Sequence, residues 1–168
     1  KINTLDVAKK IFDLGVEKIV LQSAAFTNPK LISEIASIYG SQSIVISIDL
    51  KKNFFGKLFI KSKKIKIKNN FEIKDYILDF INLGAGEILI NNIDLEGTLK
   101  GLDITILSMF KKYCTVPLLI NGGLKNLEDA NKAYQAGADA VVGGSFFVFY
   151  GKHNGVLISY PTERELYG

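Results

Sequence analysis

Short runs of consecutive apolar residues alternate in this chain with segments whose apolar positions recur every three or four residues. The first kind predicts strands buried on both faces, and the second predicts helices with one buried face. Helical spacing covers residues 5–14 (LDVAKKIFDL), 29–39, 74–83 and 104–113, and Gly15, Gly40 and Gly84 follow the first three as stops. Strand-like runs begin at Lys18 (KIVL), Ser43 (SIVISI), Glu87 (EILIN), Val116 (VPLLI) and Asp139. Residues 58–68 (LFIKSKKIKIK) alternate lysine with isoleucine towards their end, which suits a two-faced hairpin strand. Strands alternating with helices of about ten residues predict a parallel α/β fold.

A repeat sharpens that expectation. The stretch from Leu5 through Gly15 to Ser23 aligns with Leu127 through Gly137 to Ser145 at a constant offset, pairing Ala8 with Ala130, Phe12 with Tyr134, and Val20 with Val142. Such a spacing holds about four βα units, half of a (β/α)8 TIM barrel of about 250 residues. Chance likeness between two helix–strand units is the alternative. On the repeat reading the counterpart of Gly122-Gly123 falls before Lys1. The chain is then the C-terminal part of a single barrel domain over residues 1–168, with about five of eight strands and the first three missing.

Two glycine pairs, Gly122-Gly123 and Gly143-Gly144, close successive strands. Without a Cβ, backbone N–H groups there can approach an anion closely, and two such turns after neighbouring barrel strands form a phosphate grip. Tight turns also carry glycine for geometry alone. Asp49 stands at the C-terminal end of another strand, placed for acid/base work, although aspartate is common in such turns. Asp103 precedes a helix as an N-cap would.

The chain has 168 residues, 48% of them hydrophobic and 23% charged, with a net charge of +4. That suits one packed domain and falls short of a nucleic-acid signature. Cys114 is the only cysteine, so neither a disulfide framework nor a CxxC metal site is expected, and it reads as a small apolar packing group. No run is long enough to span a membrane, and a soluble cytoplasmic protein without cofactor is the plain expectation. His153 sits beyond the last strand, where tail structure outweighs catalysis. The lysines between Lys57 and Lys68 read as a solvated face, or as a surface for an acidic partner or anionic substrate.

The segment GAGEILINNIDLEGTLKGLD (84–103) resembles the strand-six signature of the cyclase subunit of imidazole glycerol phosphate synthase. GVEKIVLQSAA, GSQSIVISIDLK, VPLLINGG and AGADAVVGGSFFVF resemble neighbouring segments of that family in the same order. The resemblance implies a lyase-type cyclase that takes ammonia from a glutaminase subunit at the N-terminal face of the barrel and holds a phosphorylated substrate at the C-terminal face. It implies that Asp49 is one of two catalytic aspartates, the other lying outside this chain. It assigns phosphate contacts to Ser23, Gly122, Gly123, Gly144 and Ser145, and substrate contact to Glu96 with Gly97 and Thr98 beside it. It places an ammonia gate at Lys18 and Glu87, where a structural ion pair is the plainer reading. Glu96 reads equally well as a solvated turn residue.

Departures from the family pattern are specific. Leu95-Glu96 stands for Arg-Asp, Gln22 for Asn and Asn121 for Ser, and residues 63–70 (KKIKIKNN) replace a glycine-containing loop. The tail 146–161 lacks the family's final helix and resembles paralogues encoded with surface-polysaccharide genes. Those act with a glutaminase and a sugar amidotransferase to place acetamidino groups on sugars. A conduit subunit with purely geometric glycine turns is therefore the second expectation.

Overall fold

The computed structural model describes residues 1–61, 72–150 and 155–167. The later part of the expected hairpin strand, the loop 63–70 and His153 lie outside them. In chain order the helices are α1 (Leu5–Phe12), α2 (Ser23–Thr27), α3 (Lys30–Tyr39), α4 (Ile73–Asn82), α5 (Ile104–Phe110), α6 (Leu127–Gln135), α7 (Ser145–Val148) and α8 (Glu163–Tyr167). The strands are β1 (Ile19–Leu21), β2 (Ile44–Lys52), β3 (Leu58–Ile60), β4 (Glu87–Asn92), β5 (Leu118–Asn121), β6 (Ala140–Val142), β7 (Phe149–Tyr150) and β8 (Gly155–Val156).

This element count corrects the expectation of a C-terminal barrel part with only about five strands. Eight strands and eight α-helices run from Leu5 to Tyr167 among the described residues. The apolar-run count takes only strands read as parallel, three-residue β1 and β6 among them, and leaves out the hairpin strand β3. It misses the two-residue strands β7 and β8, too short for any period, and α2, α7 and α8, none longer than five residues.

One sheet takes the order β1-β2-β4-β5-β6 with all neighbours parallel, and β3 returns antiparallel on β2; β7 and β8 form a separate ribbon. Alternation within the strands decides the two faces. Ile44, Ile46, Ile48, Ile88, Ile90, Leu118 and Ile120 are fully buried and pack with Leu31, Ile35, Ile77, Phe80, Ile106 and Leu107 from the helices. Burying one such side chain contributes about 1.5–3 kcal/mol of transfer free energy, so this layer holds the sheet against α3, α4 and α5. The intervening residues, including Ser47, Asp49, Leu89, Asn91, Leu119 and Asn121, share the opposite face by register. Val20 on that face is 52% exposed.

The internal repeat has a structural counterpart. α1 and β1 lead to α2 beginning at Ser23, and α6 and β6 lead to α7 beginning at Ser145. Both copies start from an N-capped helix: Thr4 accepts from the Val7 N–H at 3.4 Å, and Asn126 from the Asp129 N–H at 2.9 Å. No described helix is long and apolar enough to cross a membrane.

Candidate functional site

Three adjacent strands and the residue after β1 bring one polar row together; β2 runs on to Lys52, so Asp49 lies inside the strand rather than at the C-terminal end expected from the sequence. Asp49 pairs in register with Asn91, and Asn91 with Asn121, on three adjacent parallel strands. Their side chains join as well. Asn121 Nδ2 donates to Asn91 Oδ1 at 3.0 Å, and Asn91 Nδ2 donates to Asp49 Oδ1 at 3.1 Å. Gln22, just past β1, donates through Nε2 to the other oxygen, Asp49 Oδ2. A carboxylate only accepts, so Asn91 must turn its nitrogen to Asp49 and its oxygen to Asn121. One amide orientation satisfies the whole row. Asp49 is thereby held in place through both oxygens, as an acceptor.

Beside the row lies a cleft of about 410 Å³, lined by Glu96, Gly97 and Leu99 from the β4–α5 loop, Asn121 at the end of β5, Gly123 and Leu124 from the turn after it, and residues from Val142 to Phe146. The expected binding residues Glu96, Gly97, Gly123, Gly144 and Ser145 therefore meet in one place. Ser23, Gly122 and Thr98 are not among its lining residues. Ser23 opens α2 next to Gln22, and the Thr98 hydroxyl donates to the Leu95 carbonyl within its own turn at 2.7 Å.

The glycines differ in what they do. Gly122 and Gly123 have φ of +106° and +96°, and a Cβ at either would run into a backbone carbonyl, that of Asn92 or of Gly101. These two are glycine because the turn requires it. Gly144 has an ordinary φ of −92° and open space where a Cβ would project. Across the cleft, a Cβ on Gly97 would stand 3.7 Å from Ser145 Oγ.

The β4–α5 loop is fastened by carboxylates. Asp94 accepts from the Lys52 N–H at 3.0 Å and pairs with Lys51 at 3.3 Å. That backbone bond and the neighbouring ammonium hold Asp94 below the usual carboxylate value of 3.8. Burial alone pushes Asp103 upward, but the Lys52 ammonium and Thr105 hydroxyl outweigh it and leave it below 3.8 as well. Asp103 occupies the N-cap position of α5, but its side chain makes no capping hydrogen bond there. A depressed carboxylate contributes fully above its unfolded value, and that contribution is lost as pH falls through the lower folded value. The amides of residues 92–94 and 102–105, beside these two carboxylates, should therefore keep their NMR positions down to about pH 4 and shift below it. Loop resonances already moving near neutral pH would contradict these anchors.

At the other end of the same sheet face, Lys18 and Glu87 form an ion pair, with the lysine side chain 47% exposed and the glutamate 16%. Glu87, Leu89 and Asn91 alternate onto one face of β4, so about 13 Å separates this pair from the polar row. Ser47, Leu89, Leu119 and Ala140 form the register layer between them.

Outside the site, a cleft of about 790 Å³ lies between β3, α4 and α5, lined in part by Lys52, Phe59, Ile73 and Met109. Cys114 packs against the core, and burial pushes its thiol up to about 11, which keeps it protonated and inert. Among the described residues no group of three or more His, Cys, Asp or Glu side chains could hold a metal ion.

Comparison with known proteins adds lineage to this geometry. The family described as "Histidine biosynthesis protein" matches residues 2–154. The "Putative imidazole glycerol phosphate synthase subunit HisF" of Leptospira borgpetersenii is 39% identical, over 98% of this chain and 66% of that protein. The "Putative imidazole glycerol phosphate synthase subunit hisF3" of Vibrio vulnificus is 42% identical, over 98% of this chain and 64% of its own length. The "Imidazole glycerol phosphate synthase subunit HisF" of Dictyoglomus thermophilum is 37% identical, over 88% and 59%. The chain thus spans less than two thirds of the length of these curated relatives.

Proposed function

This chain belongs to the histidine biosynthesis protein family, and we propose that it serves an ammonia-dependent synthase of the imidazole glycerol phosphate synthase type as its cyclase subunit. The observation that carries the proposal is the polar row of Gln22, Asp49, Asn91 and Asn121, whose last member also lines the glycine-turned cleft. Ammonia attack on a phosphoribosyl-formimino substrate, ring closure and lyase cleavage all require proton movement close to an anchored phosphate. Asp49 is the acid/base candidate; it enters as an acceptor because both its oxygens are held by amide donors. Gly123, Gly144 and Ser145 take the phosphate, with Gly122 shaping the turn. Ser23 contributes from the head of α2, and Glu96, flanked by Gly97 and Thr98, meets substrate hydroxyls from the β4–α5 loop.

The N-terminal end of the same face faces a glutaminase partner in this reading, with Lys18 and Glu87 as the gate. An ion pair there is opened more cheaply than a packed apolar plug, because a partly exposed pair contributes at most about 1 kcal/mol. Leu89, Leu119 and Ala140 then give a neutral molecule a largely apolar path towards Asp49.

A second reading, in which the chain conducts ammonia to a sugar amidotransferase without cyclase chemistry, is favoured by one observation. Phe54 and Phe55, at the tip of the β2–β3 hairpin beyond Asp49, are 99% and 90% exposed, and adjacent exposed aromatics of this kind mark docking sites. Nitrogen-15 ammonium supplied to the purified chain with the phosphoribosyl-formimino substrate separates the two readings. Labelled imidazole product supports the cyclase. Its absence, together with activation of a glutaminase on mixing, favours the conduit.

A further inference from the structure

Asp129 stands in the first turn of α6 and does not line the cleft. Its Oδ2 accepts from two backbone N–H groups that belong to different segments: Leu102, in the β4–α5 loop, at 2.8 Å, and Lys125, in the turn after β5, at 3.4 Å. Beside them the Gly101 N–H donates to the Gly123 carbonyl at 2.8 Å. These bonds join the loop that carries Glu96, Gly97 and Leu99 to the turn that carries Gly123 and Leu124. The joined segments are two of the three walls of the cleft.

Helix capping accounts for the weaker bond, in which Asp129 reaches back to the residue before the Asn126 cap, but not for the shorter one to Leu102 in another segment. In the other copy of the repeat the matching position is Val7, which has no acceptor to offer. The carboxylate is present in the copy whose strand leads from the Gly122-Gly123 turn. Charge also argues against a direct role, because an anion near a phosphate site weakens phosphate binding. If Asp129 assists binding, it does so by geometry.

We infer that Asp129 is a positioning residue that sets the width of the phosphate cleft by stitching the β4–α5 loop to the glycine turn. The inference rests on the reading that this cleft takes a phosphate. Asp129→Ala removes both the charge and the acceptor. Asp129→Asn removes the charge but keeps one oxygen, and both bonds go to a single oxygen. Both variants lose the charge, and only the asparagine keeps an acceptor.

The experiment is a phosphorus-31 NMR titration of the purified chain with inorganic phosphate, alongside thermal unfolding. Asp129→Ala should bind phosphate at least about 10-fold more weakly, and Asp129→Asn should stay within about 3-fold of the parent chain. Asn126→Ala, which loses only the helix cap, should unfold at a lower temperature and keep its phosphate affinity. Parental affinity in Asp129→Ala, or equal weakness in the alanine and asparagine variants, overturns the inference. If Asp129→Ala does not fold, Asp129→Glu replaces it: the charge is kept, the oxygen moves by one methylene, and affinity must still drop. A parent chain that binds no phosphate instead removes the phosphate reading of the cleft, and this inference with it.

Discussion

Asp49→Asn is expected to lower the rate of labelled imidazole formation by about 10³-fold while leaving phosphate-ester affinity within about 2-fold, since a positioned acid/base group supplies about 10²–10⁴. The reason lies in the row. Asn91 and Gln22 each aim an amide N–H at a carboxylate oxygen. An amide at position 49 offers one oxygen and one NH₂, so one of those two donors would meet another donor. The substitution therefore removes the proton acceptor and breaks the row's single consistent orientation. The cleft, built from Glu96, Gly97, Gly123 and Gly144, does not include Asp49 and should still bind. A rate within a few fold of the parent would mean that Asp49 has no part in the chemistry.

The second large effect is on stability. Gly122→Ala places a methyl group against the Asn92 carbonyl at a φ of +106°. Left-handed strain of this kind costs about 1–3 kcal/mol, and the backbone overlap adds overpacking of similar size. A loss of about 2–4 kcal/mol should follow, seen as a fall of roughly 5–15 °C in Tm for a chain of this length. Asn92 is itself buried and its side-chain oxygen accepts from the Asp94 N–H at 3.2 Å, so the damage should spread into the β4–α5 loop. A Tm unchanged within 2 °C would show that the turn is not constrained as described.

Several of these features were legible from residues alone, for identifiable reasons. Five strands announce themselves because apolar residues, mostly isoleucine, leucine and valine, must fill the layer facing the helices. Asp49 announces itself because it is a charge at the end of such a run. That these strands run parallel follows from the helix between each pair. What the sequence hid was lateral. That Asn91 and Asn121 complete a row with Asp49 depends on register between strands 42 and 30 residues apart. The available signal was that each is the polar end of a run whose alternate residues are apolar. Asp129 was harder to see, since an aspartate three residues after Asn126 looks like ordinary helix capping, and only the fold brings Leu102 to it.

The tail shows the opposite limit. Strands β7 and β8 have two residues each, and no periodicity can be read from two residues. They are positioned by contacts made elsewhere: the Leu157 N–H donates to the Val148 carbonyl, the Ser159 N–H to the Phe147 carbonyl, and Tyr160 packs on Phe147 at 5.1 Å between ring centroids. Two of the three uncounted strands lie here, the third being β3. A rule based on apolar runs cannot register elements that tertiary contacts create.

In the proposed function, the cleft between the β4–α5 loop and the two glycine turns holds a phosphate next to the Asp49 row. A crystal structure of the chain with ribose 5-phosphate tests it most directly. Phosphate density is expected against the backbone of Gly123, Gly144 and Ser145, with the sugar extending past Asn121 towards Asp49. Phosphate bound elsewhere, or a sugar directed away from Asp49 with the glycine turns empty, would contradict it.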